Sequence, residues 1–145
     1  MFGKILYPTD FSDVSQKTLE YIKQFKDCGA EDVIVLHIFD DRAAGALYPW
    51  SNSNVLNHLK NNNKLEVTNR LEDIKQELAE AGLGVTVQAT DGIPAREILK
   101  MEKEEDVSIL IMGSHGVSNL EEMFLGSVSE KVIRKCTKPV MVVKR

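Results

Sequence analysis

The segment LIMGSHGVSNLEEMFLGSVSEKV, from Leu110 to Val132, joins a strand-like apolar run to three spaced glycines. The apolar run stops at Gly113-x-x-Gly116, nine residues follow, and Gly126-Ser127 then opens a helix-like pattern. A strand that continues into a loop and a helix is the repeating unit of parallel α/β sheets. The segment therefore predicts an α/β protein with glycines where one strand ends and the next helix begins.

Five short apolar runs in the chain are rich in Ile, Val and Leu, as is typical of strands buried on both faces. They are KILYP (4–8), DVIVLHI (32–38), VTVQA (85–89), VSILIM (107–112) and PVMVV (139–143). Helical spacing of apolar residues falls between them, beginning at Val14, Leu71, Ile98 and Val128. This alternation predicts an open five-stranded parallel sheet, doubly wound as a three-layer α/β/α sandwich with right-handed crossovers. We expect the Rossmann-like strand order 3-2-1-4-5 and a single domain over residues 1–145.

One segment fits neither pattern. Residues 43–63, AAGALYPWSNSNVLNHLKNNN, mix Gly, Pro and many Asn with apolar side chains. We therefore predict a long loop that leads into the second helix. Its Leu47, Tyr48 and Trp50 have three possible roles: packing on the domain, covering a ligand or contacting a partner. We favour packing, because scattered surface apolar residues need no special explanation.

Composition and charge restrict the class of protein. The chain has 145 residues, of which 43% are hydrophobic, and no apolar run reaches the roughly 20 residues that span a bilayer. We therefore expect no membrane association, and the absence of a signal-like segment predicts a cytoplasmic location. The net charge of −4 argues against nucleic acid as a partner. Cys28 and Cys136 lack metal or redox spacing, which predicts buried structural thiols.

The glycines have a chemical interpretation. Gly113 follows the fourth strand directly, at the sheet edge where open parallel sheets bind ligands. Gly113 and Gly116 could let the backbone approach a phosphate without a Cβ, or adopt a positive φ that forms an anion nest. On this hypothesis, Gly113→Val or Gly126→Val abolishes nucleotide binding and leaves the fold intact.

The predicted fourth helix offers a second set of anion-binding groups. Ser127 and Glu130 match a Ser-x-x-Glu capping box at its start. The helix N-terminus would face an anion, with the hydroxyls of Ser127 and Ser129 as extra donors. The alternative is that Ser127 only caps its own helix.

Asp10 would form the opposite wall of the site. In the order 3-2-1-4-5 the first and fourth strands are neighbours, which places Asp10 across the crevice from Gly113. Its carboxylate could accept hydrogen bonds from ribose hydroxyls or a base amine. The alternative is a helix-start aspartate, but Ser12 is better placed as the cap.

Two histidines and a Gly-Ile-Pro sequence are further candidates for the site. His115 has no Ser or Cys placed by sequence as its partner, so we interpret it as a donor and assign no catalytic residue. His37 lies inside a strand and is interpreted as a core histidine. Residues 92–94 open the third helix with Pro at its first position, which indicates a structural role with a possible backbone edge on the ligand.

Taken together, several motifs resemble the universal stress protein family, in its ATP-binding branch. They are YPTDFS, VLHIFD, DGIPAREIL, MGSHG and the final GSVSEKVIRKCTKPVMVVKR. The resemblance spans nearly the full chain and is weakest over 41–65. The family's nucleotide motif is carried here by Gly113, Gly116, Gly126 and Ser127.

The resemblance implies a ligand and the residues around it. Asp10 would contact the adenosine, the backbone of Ile38 would contact the adenine edge, and two stretches, 113–119 and 126–129, would surround the phosphates. Mg²⁺ or Mn²⁺ would be carried on the ATP phosphates, with no metal site made of protein side chains. A homodimer would form through the last strand, Pro139 to Val143. The implied contact residues are Pro8, Thr9, Asp10, Ile38, Met112, Gly113, Ser114, His115, Gly116, Asn119, Gly126, Ser127, Val128 and Ser129.

The motif is not a Walker A sequence, since no Gly-Lys-[Ser/Thr] is present. We therefore expect a nucleotide-dependent switch or stress-response regulator, read by an unidentified protein partner, with slow or partner-dependent ATP hydrolysis. The alternative is an enzyme with useful intrinsic ATP turnover. A receiver-type phosphorylation switch is disfavoured because Lys138 precedes the fifth strand, and a Gly-x-x-Gly RNA-binding module because the basic surface is missing.

Overall fold

The structure of the protein, a computed structural model, describes residues 2–40, 42, 53–115 and 125–145. In chain order its elements are β1 (Lys4–Pro8), α1 (Asp13–Gln24), a 3₁₀ turn (Phe25–Cys28), β2 (Asp32–Phe39), α2 (Ser53–Glu80), β3 (Gly84–Asp91), α3 (Pro94–Glu104), β4 (Ile109–Gly113), α4 (Ser127–Lys135) and β5 (Val140–Val143).

The five strands form one parallel sheet in the order β3-β2-β1-β4-β5, which confirms the predicted α/β fold and strand order. β1 is central and pairs with β2 on one side and β4 on the other, with Leu6 level with both Ile34 and Leu110. β1 and β4 are almost entirely apolar because both of their faces are covered. β3, at the edge, alternates between exposed and partly buried residues.

Alternate residues of β1 belong to two separate cores, as the period of two in a strand requires. Ile5 and Tyr7 point to the face covered by α1 and α2, whereas Leu6 points to the face covered by α3 and α4. Helices on both faces give the three layers predicted from the sequence. The first core includes Ile22, Val35, Leu71 and Leu78, and the second includes Leu36, Ile98, Leu110 and Val132.

The predicted loop at 43–63 is wrong over its second half, because α2 already begins at Ser53. The buried residues of α2 all lie in the second half of this helix: Val67, Leu71, Ile74 and Leu78. Once that half is packed, each further helical residue costs little, so an exposed Asn-rich stretch can extend the helix despite modest propensity. The predictions for Leu47, Tyr48 and Trp50 lie outside the described residues.

The helix starts follow ordinary capping rules. Ser12 caps α1, and its Oγ accepts a hydrogen bond of 3.2 Å from the amide of Ser15. Pro94 occupies the first turn of α3, as predicted.

The prediction of two buried thiols is wrong for Cys28, which is exposed in the 3₁₀ turn after α1. No residue of that turn is buried, since it carries the chain over the surface between α1 and β2. Cys136 is partly buried, and burial raises the pKa of its thiol. None of the helices in the described ranges is long and apolar enough to cross a membrane.

Candidate functional site

The carboxyl ends of β1 and β4 lie side by side at one edge of the sheet. Ile5 is level with Ile109 and Leu6 with Leu110; β1 then ends at Pro8, and β4 ends at Gly113. Beyond β1 the chain continues through residues 9–12 into α1. This is the switch point of the sheet, where open α/β proteins have a crevice that can receive a ligand.

The turn after β1, residues 9–12 (the Asp10 turn), presents the exposed carboxylate of Asp10 at this edge. Asp10 Oδ1 accepts a hydrogen bond of 3.0 Å from the Ser12 amide, and the Phe11 amide donates to Thr9 Oγ1 over 3.1 Å. Because Ser12 and not Asp10 caps α1, the Asp10 carboxylate belongs to the turn itself. A carboxylate has about four acceptor positions, so this geometry is compatible with further donors from a ligand.

The side chain of Thr9 points away from the crevice into a buried network. Its Oγ1 lies 2.6 Å from Ser15 Oγ, and the Tyr7 hydroxyl donates to the carbonyl of Ser15 over 2.6 Å. Burial raises the pKa of Tyr7. Pro8 is also buried, so the positions predicted at 8 and 9 can contribute only backbone to a ligand site.

The backbone of Ile38 is directed toward the space beyond the end of β1. The Leu36 carbonyl accepts from Thr9 on the β1 side, whereas the Phe39 carbonyl accepts from Gly92 on the β3 side. Backbone groups alternate between the two neighbours along a strand. The amide and carbonyl of Ile38 therefore point to the β1 side. Ile38 lies two residues past Leu36, which is level with Pro8 at the end of β1.

Three rings beside the Asp10 turn form a row that sequence reasoning missed: Phe11, His37 and Phe39 (the ring row). Phe11 stacks on His37 with ring centroids 4.8 Å apart, and His37 meets Phe39 edge-on at 5.0 Å. Side chains of α2 flank the row, with the Arg70 guanidinium 5.3 Å from the Phe11 ring and Lys64 Nζ 5.7 Å from Phe39. The available signal was a histidine in an otherwise apolar strand. His37 was predicted to be a core residue, but its side chain is only half-buried.

Gly113 has a packing role that the sequence did not reveal. A Cβ built on it would lie 2.9 Å from Val14 Cγ1 on α1. Its φ is not positive; among the described glycines, positive φ occurs at 29, 82 and 92. This contact argues against the prediction that Gly113→Val leaves the fold intact, because the new side chain would press on a packed helix. Met112, predicted beside it, is buried in the core that α3 and α4 cover.

The predicted capping box at α4 is also wrong. Gly126 is the cap residue, with extended backbone at φ −69° and ψ 160°, and Ser127 is already helical. Glu130 pairs with Arg134 over 2.7 Å, on the exposed side of the helix. A glycine cap has no side chain that could accept hydrogen bonds from the first-turn amides. The amides of residues 127–129 therefore form an N-terminus suited to an external anion.

The backbone of Ser114 and the hydroxyl of Ser129 join the ends of β4, β5 and α4. Ser129 donates to the carbonyl of Gly113 over 2.9 Å, and Ser114 Oγ lies 2.7 Å from His115 Nδ1. The Ser114 amide donates to Val143, and its carbonyl accepts from Gly126 over 2.7 Å. Both serines are buried. Ser129 therefore offers a ligand its amide, because its hydroxyl proton is already engaged.

Four predicted contact residues remain, two at the start of α4 and two in the connection before it. Ser127 is exposed at the first position of α4, and Val128 packs against the second core. Gly116 and Asn119 lie outside the described residues. In the ranges that the structure describes, no three His, Cys, Asp or Glu side chains converge in a way that could hold a metal ion.

The chain matches known proteins along its whole length. The model of the universal stress protein family matches residues 1–144. Universal stress protein MJ0577 of Methanocaldococcus jannaschii is 46% identical over 156 residues, covering 100% of this chain and 96% of that protein. Universal stress protein YxiE of Bacillus subtilis is 34% identical over 150 residues, covering 99% of this chain and all of the relative.

Solved structures show the same fold. The structure of MJ0577 superposes with a TM-score of 0.91 at 47% identity, covering 100% of this chain and 97% of that one. Two more distant structures, both 18% identical, contain nucleotides: a universal stress protein with cAMP (TM-score 0.69; 99% and 97% covered) and one from Archaeoglobus fulgidus with dAMP (0.66; 99% and 98% covered). The chain therefore belongs to the universal stress protein family.

Proposed function

We propose that this protein binds ATP in the crevice between the Asp10 turn and the start of α4, and that nucleotide occupancy acts as a stress-response switch. The observation that carries the proposal is the juxtaposition of an exposed carboxylate and a glycine-capped helix N-terminus at the ends of adjacent strands. The carboxylate suits sugar hydroxyls and the helix N-terminus suits phosphates.

Each part of ATP has a matching group in the proposal. The amide and carbonyl of Ile38 would pair with the adenine edge, and Asp10 would accept from the ribose. The amides of residues 127–129 would bind phosphate oxygens, together with the chain from Gly113 through Gly116 to Asn119. Known nucleotide ligands of this fold support the adenine assignment, since relatives have been solved with cAMP and dAMP. Mg²⁺ or Mn²⁺ would arrive on the phosphates and neutralise their charge, with the exposed Ser127 hydroxyl in reach of that end of the ligand.

A switch is favoured over an enzyme by the kind of groups present. Phosphoryl transfer needs charge stabilisation and a positioned nucleophile. The described side of the site offers backbone amides, a carboxylate, the exposed hydroxyl of Ser127 and buried hydroxyls already engaged with the protein. We therefore propose slow or partner-dependent hydrolysis, with occupancy detected by a protein partner. Turnover of the purified protein at the 1–100 s⁻¹ typical of kinases would instead favour the alternative, an ATP-hydrolysing enzyme.

We also propose a homodimer through the segment Pro139 to Val143. β5 is the last strand of the described sheet, and Val142 is partly exposed without belonging to either core. An uncovered edge strand tends to pair with another chain. Val142→Lys should convert the dimer to a monomer in light scattering after size exclusion, whereas the control Ile133→Lys on α4 should not. A monomeric wild-type protein would refute this arrangement.

The binding proposal is tested by thermal unfolding with Mg²⁺ and either ATP, GTP or inorganic tripolyphosphate. ATP at 100 times its dissociation constant should stabilise the fold by about 2.7 kcal/mol, or roughly 5–10 °C. GTP should give little shift, because its base edge presents different donors and acceptors. No shift with any ligand, in protein freed of copurified nucleotide, would refute the site.

Two variants locate the site within the fold. Asp10→Ala and Gly126→Val should both weaken ATP binding, and Gly126 has ordinary backbone angles that a side chain tolerates. Asp13→Ala is the matched control, because Asp13 is also an exposed carboxylate, on the first turn of α1. Equal ATP affinity in all three variants would place the site elsewhere.

A further inference from the structure

His37 forms a hydrogen bond from β2 to the turn that follows β1. Its Nδ1 lies 2.8 Å from the carbonyl oxygen of Thr9, the residue before Asp10. A carbonyl oxygen only accepts, so Nδ1 carries the hydrogen and donates it. The ring thereby holds the peptide group between Thr9 and Asp10, the residue that carries the carboxylate.

The same ring supports the residue after Asp10. Phe11 lies stacked on His37, with an angle of 26° between the ring planes. The guanidinium of Arg70 on α2 also lies over the Phe11 ring, 5.3 Å from its centroid. Asp10 is therefore bracketed by two neighbours, and His37 contacts both, one by a hydrogen bond and the other by stacking.

The turn needs this support because its backbone is unfavourable. Phe11 has a φ of 62°, in the left-handed region that is sterically unfavourable for an L-residue other than glycine. The bond from its amide to Thr9 Oγ1 and the stack on His37 both stabilise this conformation. Without these contacts the turn would relax and the Asp10 side chain would leave its present position.

The protonation state of His37 is compatible with this role. Burial lowers its pKa, so the ring is neutral at physiological pH. The charged groups around the ring row are Asp10, which raises the pKa, and the Arg70 and Lys64 cations over Phe11 and Phe39. A neutral ring stacks on Phe11 without repulsion from Arg70.

We propose that His37 is a positioning residue of the nucleotide site: its bond to Thr9 and its stack on Phe11 hold the turn that presents Asp10 to the sugar. The inference rests on the proposed function, since it assigns Asp10 a ligand. It adds a residue that does not touch the nucleotide and whose effect on affinity passes through Asp10.

Two variants separate the two contacts of His37. His37→Phe keeps a ring for stacking but removes the donor to Thr9. His37→Asn places an amide donor near the former Nδ1 position but removes the ring. Each is measured by titration calorimetry with Mg-ATP, in the wild-type background and together with Asp10→Ala. The exposed His58 on α2 supplies the matched control, His58→Phe.

In the wild-type background, His37→Phe should weaken ATP binding about fivefold to tenfold, as expected for one lost hydrogen bond. With Asp10→Ala present, the same change should cost less than twofold, because its effect is transmitted by Asp10. Tripolyphosphate affinity should stay unchanged, since the phosphates bind at the start of α4. Should His37→Phe fail to fold, His37→Asn must show the same coupling with Asp10.

Equal losses in both backgrounds, or a parallel loss of tripolyphosphate binding, would overturn the inference and leave only a structural role for His37. This outcome differs from failure of the proposed function. In that case wild-type protein would not bind ATP, or Asp10→Ala alone would leave its affinity unchanged.

Discussion

Gly113 and Val14 are so close that the Cβ of any other residue at position 113 would lie 2.9 Å from Val14 Cγ1. Behind that contact is the amide of Ser15, 3.5 Å from the same point. Val14 is buried on α1, so it has little room to move away. Glycine at position 113 therefore lets α1 approach β4 closely.

We predict that Gly113→Ala destabilises the fold by about 1–3 kcal/mol, the usual cost of overpacking. Val14→Ala in the same chain should recover part of that loss, because it removes the clashing methyl group. Urea unfolding measures both. Gly3→Ala is the control, since nothing lies within 4 Å of its added Cβ. A Gly113→Ala protein as stable as the control would contradict the packing role.

At Phe11 we predict a reversal of the usual order of alanine and glycine. Both Phe11→Ala and Phe11→Gly lose the stack on His37, but only alanine keeps the penalty of the left-handed backbone at φ 62°. The glycine variant should therefore be more stable than the alanine variant by about 1 kcal/mol. Chemical denaturation gives the comparison directly. If alanine is the more stable of the two, the left-handed turn is not retained in solution.

Glu102 should be important for anchoring the turn before β5. Its carboxylate is buried, and Oε1 accepts from the Thr137 hydroxyl at 2.6 Å and from the amides of Thr137 and Lys138. Glu102→Gln should cost about 1–3 kcal/mol, because it weakens bonds made to a charged acceptor. Glu104→Gln, exposed on the same helix, should have little effect in the same urea titration. Equal stability of the two variants would rule out this anchor.

The same carboxylate predicts a dependence on acid. Burial raises the pKa of Glu102, but hydrogen bonds from Thr137, Cys136 and Lys138 together lower it by more, so the net pKa is below the ordinary 4.5. Its contribution is present above pH 4.5 and is lost as pH falls through the folded-state pKa. The stability gap between wild type and Glu102→Gln should therefore narrow between pH 7 and pH 3. A gap that stays constant would mean that the charge of Glu102 contributes nothing.

His37 predicts a separate dependence near neutrality. Burial lowers its pKa below 6.5, so the unfolded chain takes up the proton first as pH falls. Its contribution to stability is present above pH 6.5 and decreases below that value, until the folded-state pKa is reached. Wild type should therefore lose more stability than His37→Asn between pH 7.5 and pH 5.5. Equal losses in urea unfolding at the two pH values would contradict the lowered pKa.

The positions of the strands along the chain could be predicted from local pattern. The runs at 4–8 and 32–38 coincide with β1 and with most of β2, because strands buried on both faces must be continuously apolar. The helix start at Ser53 was not accessible, since an exposed Asn-rich stretch takes its conformation from the packed half of α2 that follows it. Local propensity is too weak to decide such a segment.

For the candidate site, the sequence by itself determined which residues stand at the carboxyl ends of β1 and β4, because chain order and period place Asp10 and Gly113 there. Only the tertiary structure decided what each does. It moved the cap of α4 from Ser127 to Gly126, engaged the hydroxyl of Ser129, and brought His37 against the Asp10 turn. These outcomes depend on distances between segments far apart in sequence, which no local pattern encodes.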